Sequence, residues 1–287
     1  MKTFAPRKAF SQNFLTDGRT AAKIAATLEV GPSDVVLEIG PGPGALTEHL
    51  VRTGSHVTAI DLDERAVAHL RQQAWAGNVD IRYGDILTCD LTTLWPGTER
   101  HQRNVIGNIP YAITSEILFW LFDGAENLRR AVIMMQREVA ERLVAQPRTK
   151  EYGVLTVAAS LVSTPRLMFH VKPGSFFPRP SVTSSVVRFD FHDQLRDLPF
   201  RRLFMVYVRA AFSQRRKVLA NSLKTWATST LKSDLRELAS IVITSTGVDI
   251  MTARAEELTI EQHIEVYFAL INEHHVSEEG KGHIRGI

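Results

Sequence analysis

Val35-Val36-Leu37-Glu38-Ile39-Gly40-Pro41-Gly42-Pro43-Gly44 is the stretch on which the fold turns. Its first five residues have the length of one strand, and an apolar run without alternation fits a strand covered on both faces. The glycines at every second position then break the strand and permit a tight turn through dihedrals that other residues avoid. Ala45 to Arg52 follows with helical spacing. The pattern repeats downstream. His56 to Ile60 is a second strand stopping at Asp61, followed by a helix from Glu64 to Ala74, and Val79 to Tyr83 is a third strand ending at Gly84-Asp85. Arg103 to Ile106 is a fourth, ending at Gly107-Asn108-Ile109-Pro110-Tyr111, with a helix over Thr114 to Phe122. Ala131 to Met135 is a fifth, before a helix from Glu138 to Ala145. Such alternation predicts an α/β fold with a doubly wound, Rossmann-like parallel sheet.

Two more strands, Arg166 to Val171 and Ser184 to Phe191, flank the proline-rich stretch Lys172 to Pro180 and are expected to close the sheet. From Leu198 onward strand signals stop. Helical periodicity takes over in Phe204 to Phe212, Gln214 to Leu223, Leu235 to Ile241 and Ile260 to Ile271, so a boundary is expected near His192 to Leu198. The polar tail from His274 to Ile287 is expected to fray.

Composition agrees with this picture. A chain of 287 residues, 44% hydrophobic and 23% charged, is an ordinary globular protein, which excludes collagen, disorder and small disulfide scaffolds. The single cysteine, Cys89, excludes an intramolecular disulfide and a cysteine zinc cluster, and no metal is expected. Met1 to Leu15 lacks an apolar run of signal-peptide length and no later window spans a membrane, so a cytoplasmic protein without a membrane partner is expected. The net charge of +3 says little by itself. Its distribution says more, because Leu198 to Ser233 holds eight bases (Arg201, Arg202, Arg209, Arg215, Arg216, Lys217, Lys224, Lys232) and no acid, leaving −5 for the rest. A segregated basic segment is the electrostatic footprint of a nucleic acid, or else a solvated helix face.

Ligands of doubly wound sheets bind outside the carboxyl ends of the strands, and there the chemistry collects. Gly40 and Gly42 allow close approach to the backbone. Asp61, at the second strand end, can accept hydrogen bonds from both ribose hydroxyls, and Asp85, at the third, from an adenine amino group. Together they point to an adenosine-containing cofactor, while the glycine loop alone also fits a nicotinamide dinucleotide. At the fourth strand end, Asn108-Ile109-Pro110-Tyr111 resembles the N-[IL]-P-Y signature of S-adenosylmethionine-dependent amino-methyltransferases acting on adenine. The adenine N6 lone pair is delocalised into the ring, so a site must hold both N6 hydrogens in a geometry that frees it. The Asn108 side-chain oxygen and a backbone carbonyl, that of Ile109, can be the two acceptors. Pro110 stiffens the loop and restricts Ile109, and Tyr111 offers a ring face on which a flipped base can stack.

Beyond these residues the chain resembles the KsgA/RsmA family of small-subunit ribosomal RNA adenine dimethyltransferases, from about Lys8 to Ile271. The resemblance rests on Ser11-Gln12-Asn13-Phe14-Leu15, Met135-Gln136-Arg137-Glu138-Val139, Lys150-Glu151-Tyr152-Gly153, Phe176-Phe177-Pro178-Arg179-Pro180-Ser181-Val182 and Phe212-Ser213-Gln214-Arg215-Arg216-Lys217, with Asn221-Ser222-Leu223 and Arg254-Ala255-Glu256 further on. It implies S-adenosyl-L-methionine as cofactor, held by Asn13, Leu15, Gly40, Asp61, Asp85 and Asn108. Catalysis is implied at Asn108, Ile109, Pro110 and Tyr111, with Phe176 as the second face for the flipped base. Residues 1–195 would form the methyltransferase domain and 196–273 a helical domain contacting RNA through Arg215, Arg216 and Lys217, with 274–287 a flexible tail. The implied reaction dimethylates N6 of two adjacent adenosines in the 3′-terminal hairpin loop of small-subunit (16S) rRNA, within an immature 30S particle, by a monomer. Asp61 stands where many members carry Glu, and Ala112 where relatives often have Asn. Two alternatives remain at this point: an rRNA-binding assembly factor with a secondary catalytic role, and a large-subunit rRNA adenine dimethyltransferase.

Overall fold

The computed structural model describes residues 13–279, so Ser11 and Gln12 of the N-terminal motif and the end of the expected tail lie outside the described residues. The chain divides into two compact units. The first comprises the chain up to Val144 together with Val162–Leu195, and the second comprises Ala145–Leu161 together with the chain from Arg196. The sequence predicts one cut near residue 195. The structure adds an earlier excursion, because Ala145–Leu161 groups with residues that follow the sheet.

In the first unit the elements run β1 (Phe14–Leu15), α1 (Gly18–Thr27), β2 (Val35–Ile39), α2 (Thr47–Val51), β3 (His56–Asp61), α3 (Glu64–Leu70), β4 (Val79–Tyr83), α4 (Leu91–Leu94), β5 (Arg103–Asn108), α5 (Thr114–Asp123), β6 (Arg130–Gln136) and α6 (Arg137–Leu143). After α7 (Val154–Val162) come β7 (Ser163–Val171), β8 (Phe176–Phe177) and β9 (Ser184–Phe191). Seven strands form one sheet in the order β4-β3-β2-β5-β6-β9-β7, the first five parallel and β9 antiparallel to both neighbours. β2 pairs with β3 on one side and β5 on the other, which makes it the point where the strand order reverses. All five of its residues are buried, which is why the run shows no alternation. Each fully buried Val, Leu or Ile there contributes about 1.5–3 kcal/mol. Asp17 and Asp63 cap α1 and α3 by accepting the amide protons of Arg19 and Arg65.

The second unit continues with α8 (Leu198–Ala211), α9 (Leu219–Thr230), α10 (Leu235–Thr246) and α11 (Ile260–Glu279). Tyr207 is fully buried, with Phe204, Trp226 and Tyr267 ringed around it at centroid distances of 5.4–5.7 Å. His263 joins them: its Nε2 lies 2.9 Å from the Ala255 carbonyl, and burial lowers its pKa to about 4. One expectation needs correction here. The helix expected from Gln214 starts only at Leu219, because the run Gln214-Arg215-Arg216-Lys217 has no apolar side chain to bury and forms an exposed turn. The tail expected from His274 falls partly within α11, which is helical through Glu279, and its remainder lies outside the described residues.

Candidate functional site

The glycine turn after β2 is held from below by β3. Gly40 N–H donates to the Ile60 carbonyl at 2.9 Å, and Gly42 N–H donates to Asp61 Oδ2 at 3.0 Å. The other carboxylate oxygen of Asp61 accepts from Asp63 N–H at 2.8 Å, so two backbone donors fix the group at the strand end. Burial raises the pKa of Asp61 and these backbone donors oppose the shift. Gly40 and Gly42 have φ of +61° and +54°, in the left-handed region. A side chain at Gly42 would also strike the Phe14 ring, 3.0 Å away, whereas at Gly40 it would meet no protein atom within 4 Å. The backbone at Gly40 therefore faces open space.

That space is a cavity of about 230 Å³. Asn13, Leu15, Gly40, Asp61, Asp85 and Asn108 all line it, and so do Ile109, Pro110 and Tyr111. It lies at the carboxyl ends of β2 to β5, where a switch of strand order opens a crevice. Asp85 caps the short turn after β4 by accepting from Leu87 N–H at 2.9 Å, so its Oδ1 serves the fold. Asn108 Nδ2 donates to the Asn13 carbonyl at 3.1 Å. Among the described residues none donates to its Oδ1, which is left as the acceptor end of an oriented amide. Tyr111 begins a 3-10 turn after Pro110, whose φ of −59° suits the entry and whose carbonyl accepts from Thr114 Oγ1 at 3.2 Å.

Phe176 departs from its expected place. It is 5% exposed, belongs to the apolar core with Leu15, and does not line the cavity. The cause is strand alternation: β8 pairs with β1 so that Phe176 lies opposite Leu15, and Phe177 opposite Phe14. Phe177 is the exposed aromatic of the pair, at 62%. Of the three expected RNA contacts, Arg215 is engaged within its own unit. Its Nε donates to Glu256 at 2.5 Å and its guanidinium to the Thr149 carbonyl at 2.8 Å. Arg216 and Lys217 are exposed.

Glu38 is the residue that the motifs did not single out. It sits inside β2, is 1% exposed, lines the cavity, and has an Oε2 without a hydrogen-bond partner. Burial raises its pKa to about 8, hydrogen bonding from Thr47 opposes the shift and the Asp61 carboxylate adds to it. The available signal was a carboxylate within an otherwise apolar strand. An open backbone at Gly40, a fixed carboxylate at Asp61 and a buried acid at Glu38 with one unpartnered oxygen fit a polar ligand carrying hydroxyls.

The sheet and this strand-end cavity define a Rossmann-like fold with a ligand crevice where the strand order reverses. A family model described as Ribosomal RNA adenine dimethylase matches residues 3–265, and the chain belongs to that family. A ribosomal RNA small subunit methyltransferase A from Salinibacter ruber is 45% identical over 228 residues, 78% of this chain and 75% of that protein. Another, from Desulfitobacterium hafniense, is 40% identical over 259 residues, 89% of this chain and 88% of that protein. Among solved structures, the 23S rRNA methyltransferase ErmE superposes with a TM-score of 0.67 at 28% identity, covering 90% of this chain and 100% of that one. A dimethyladenosine transferase from Plasmodium falciparum shares the fold, with a TM-score of 0.72 at 24% identity over 91% of this chain and 98% of that one.

Proposed function

We propose that the protein methylates the exocyclic N6 of two adjacent adenosines in the 3′-terminal hairpin loop of small-subunit (16S) rRNA, giving N6,N6-dimethyladenosines, and that its substrate is an immature 30S particle. The observation that carries this reading is the Asn108 amide, turned by the Asn13 carbonyl so that Oδ1 is its free end beside Tyr111. When bound, S-adenosyl-L-methionine supplies an electrophilic sulfonium methyl. Asp61 and Asp85 hold the adenosine part through acceptor oxygens, and Asn13, Leu15, Gly40 and Asn108 complete the wall around it. Asn108 Oδ1 and the Ile109 carbonyl accept the two N6 hydrogens, which turns the nitrogen lone pair out of the ring. The same acceptors stabilise the positive charge that grows on N6, and the proton leaves afterwards. Rate comes from positioning and from dipoles fixed in advance.

Methyl mapping on both ribosomal RNAs tests the reading. Particles from cells lacking the enzyme should gain label on two adjacent small-subunit adenosines. Label on a large-subunit adenosine, or none with folded protein, would overturn it.

The second unit is assigned to RNA contact through the exposed bases Arg216 and Lys217, which position phosphates without reading sequence. Replacing both with Ala should lower the slope of log affinity against log salt by about 1–2, with the melting temperature unchanged. Arg215→Ala should do the reverse. It frees Glu256 and the Thr149 carbonyl, lowers stability by about 1–2 kcal/mol, and leaves the salt slope close to that of the parent. Equal effects of the two variants on the slope would show that Arg215 contacts RNA as well.

A further inference from the structure

Tyr111 has a partner outside its own loop. Its Oη shares a hydrogen bond with Ser184 Oγ at 2.7 Å. Ser184 is the first residue of β9 and is fully buried. It lies opposite Gln136 of β6 on one side and Val171 of β7 on the other, so its backbone is fixed in the ladder from both flanks. The next residue shows the same arrangement, with Ser185 Oγ 2.8 Å from His170 Nδ1. Ser184 is therefore a rigid point of the sheet, and its hydroxyl reaches a side chain that lines the cavity.

The ring of Tyr111 is thus fastened at two ends. The backbone end sits in the turn after Pro110, braced by the Ile113 amide and the Thr114 hydroxyl on the Pro110 carbonyl. The phenol end is tied to β9. A ring held in this way cannot swing, and because the hydrogen-bonding directions of a phenol oxygen lie near the ring plane, the bond to Ser184 also favours one rotation about the long axis, so the faces keep one orientation. Stacking depends on that orientation, and rotations of tens of degrees separate a productive base from an idle one.

We propose that Ser184 is a positioning residue for methyl transfer, its hydroxyl holding the Tyr111 ring in the stacking orientation before the adenine arrives. The proposal rests on the reading that Tyr111 stacks on the target base. It also gives the Phe176 to Val182 segment a role that the burial of Phe176 leaves open. That segment leads the chain into Ser184.

The test is a double-mutant cycle on single-turnover methyl transfer, with RNA KM, cofactor affinity and melting temperature measured on each variant. Ser184→Ala should slow transfer about 10-fold, with RNA KM and cofactor affinity within twofold of the parent. Tyr111→Phe, which removes the same bond from the other side, should slow it equally, and the double variant no further. Independent losses in the double variant, or a Ser184→Ala protein that melts earlier yet transfers at the parental rate, would overturn the proposal. Should Ser184→Ala fail to fold, a parental rate for Tyr111→Phe overturns it alone. Tyr111→Ala separates the two layers. A loss of 100-fold or more there with no effect of Tyr111→Phe sinks only the positioning role, while a parental rate for Tyr111→Ala sinks the stacking reading as well.

Discussion

Asn108→Ala should reduce single-turnover methyl transfer by about 10²–10³-fold, the scale found when one oriented dipole is taken from a reacting centre. The alanine removes the Oδ1 acceptor assigned to N6, and no other side-chain oxygen replaces it on that strand end. Folding should survive, because Asn108 is only partly buried and the single described bond of its side chain is to the Asn13 carbonyl. Asn108→Asp is the informative companion. It keeps an acceptor and the volume, but it turns the Asn13 carbonyl from a hydrogen-bond partner into a neighbour of a carboxylate. The side chain would then lose its fixed orientation, and the rate should fall nearly as far. Retention of more than a tenth of the parental rate in Asn108→Ala, with cofactor affinity intact, would remove Asn108 from the chemistry.

The second large effect is on stability. An unfolded chain holds Glu38 near its ordinary value of 4.5, whereas burial in β2 raises it to about 8. Between those values the folded protein keeps a proton that the unfolded chain has released, so stability falls as pH rises. The loss is complete above the folded value and reaches roughly 5 kcal/mol at 1.36 kcal/mol per unit. Glu38→Gln, equal in size and without the charge, should melt close to the parent at pH 5 and several degrees above it at pH 8.5, in protein freed of cofactor. An equal offset at both pH values would mean that ionisation of Glu38 is not what limits stability.

Much of the sheet was legible because parallel strands bury both faces and appear as short apolar runs. β2 and β4 occupy their expected spans, and β3, β5 and β6 extend theirs by one or two residues. The strand ends were legible too, since glycines, Asp61, Asp85 and the Asn108 turn are residue types with narrow uses. Three features were not. α7 is apolar on nearly every side, so it carries no 3.6-residue period and its nine residues could equally belong to a strand. The pairing of β1 with β8 joins residues about 160 positions apart, and only that pairing shows that Phe176 faces the core and Phe177 the solvent. The bond from Tyr111 to Ser184 has no local signature, because two hydroxyls far apart in the chain become partners only once β9 is placed. The bonds of Arg215 have no local signature either, since charge counting does not reveal a Glu256 41 residues later.

The excursion of Ala145–Leu161 into the second unit has a consequence for biosynthesis. A ribosome emits this segment, which carries most of the apolar α7, before β7 and β9, and well before the chain from Arg196 with which it groups. During that interval the segment must be tolerated unsheltered, or be sheltered by a chaperone. The two units are interleaved in time as well as in sequence, so neither can be released from synthesis as a finished body before the other has begun.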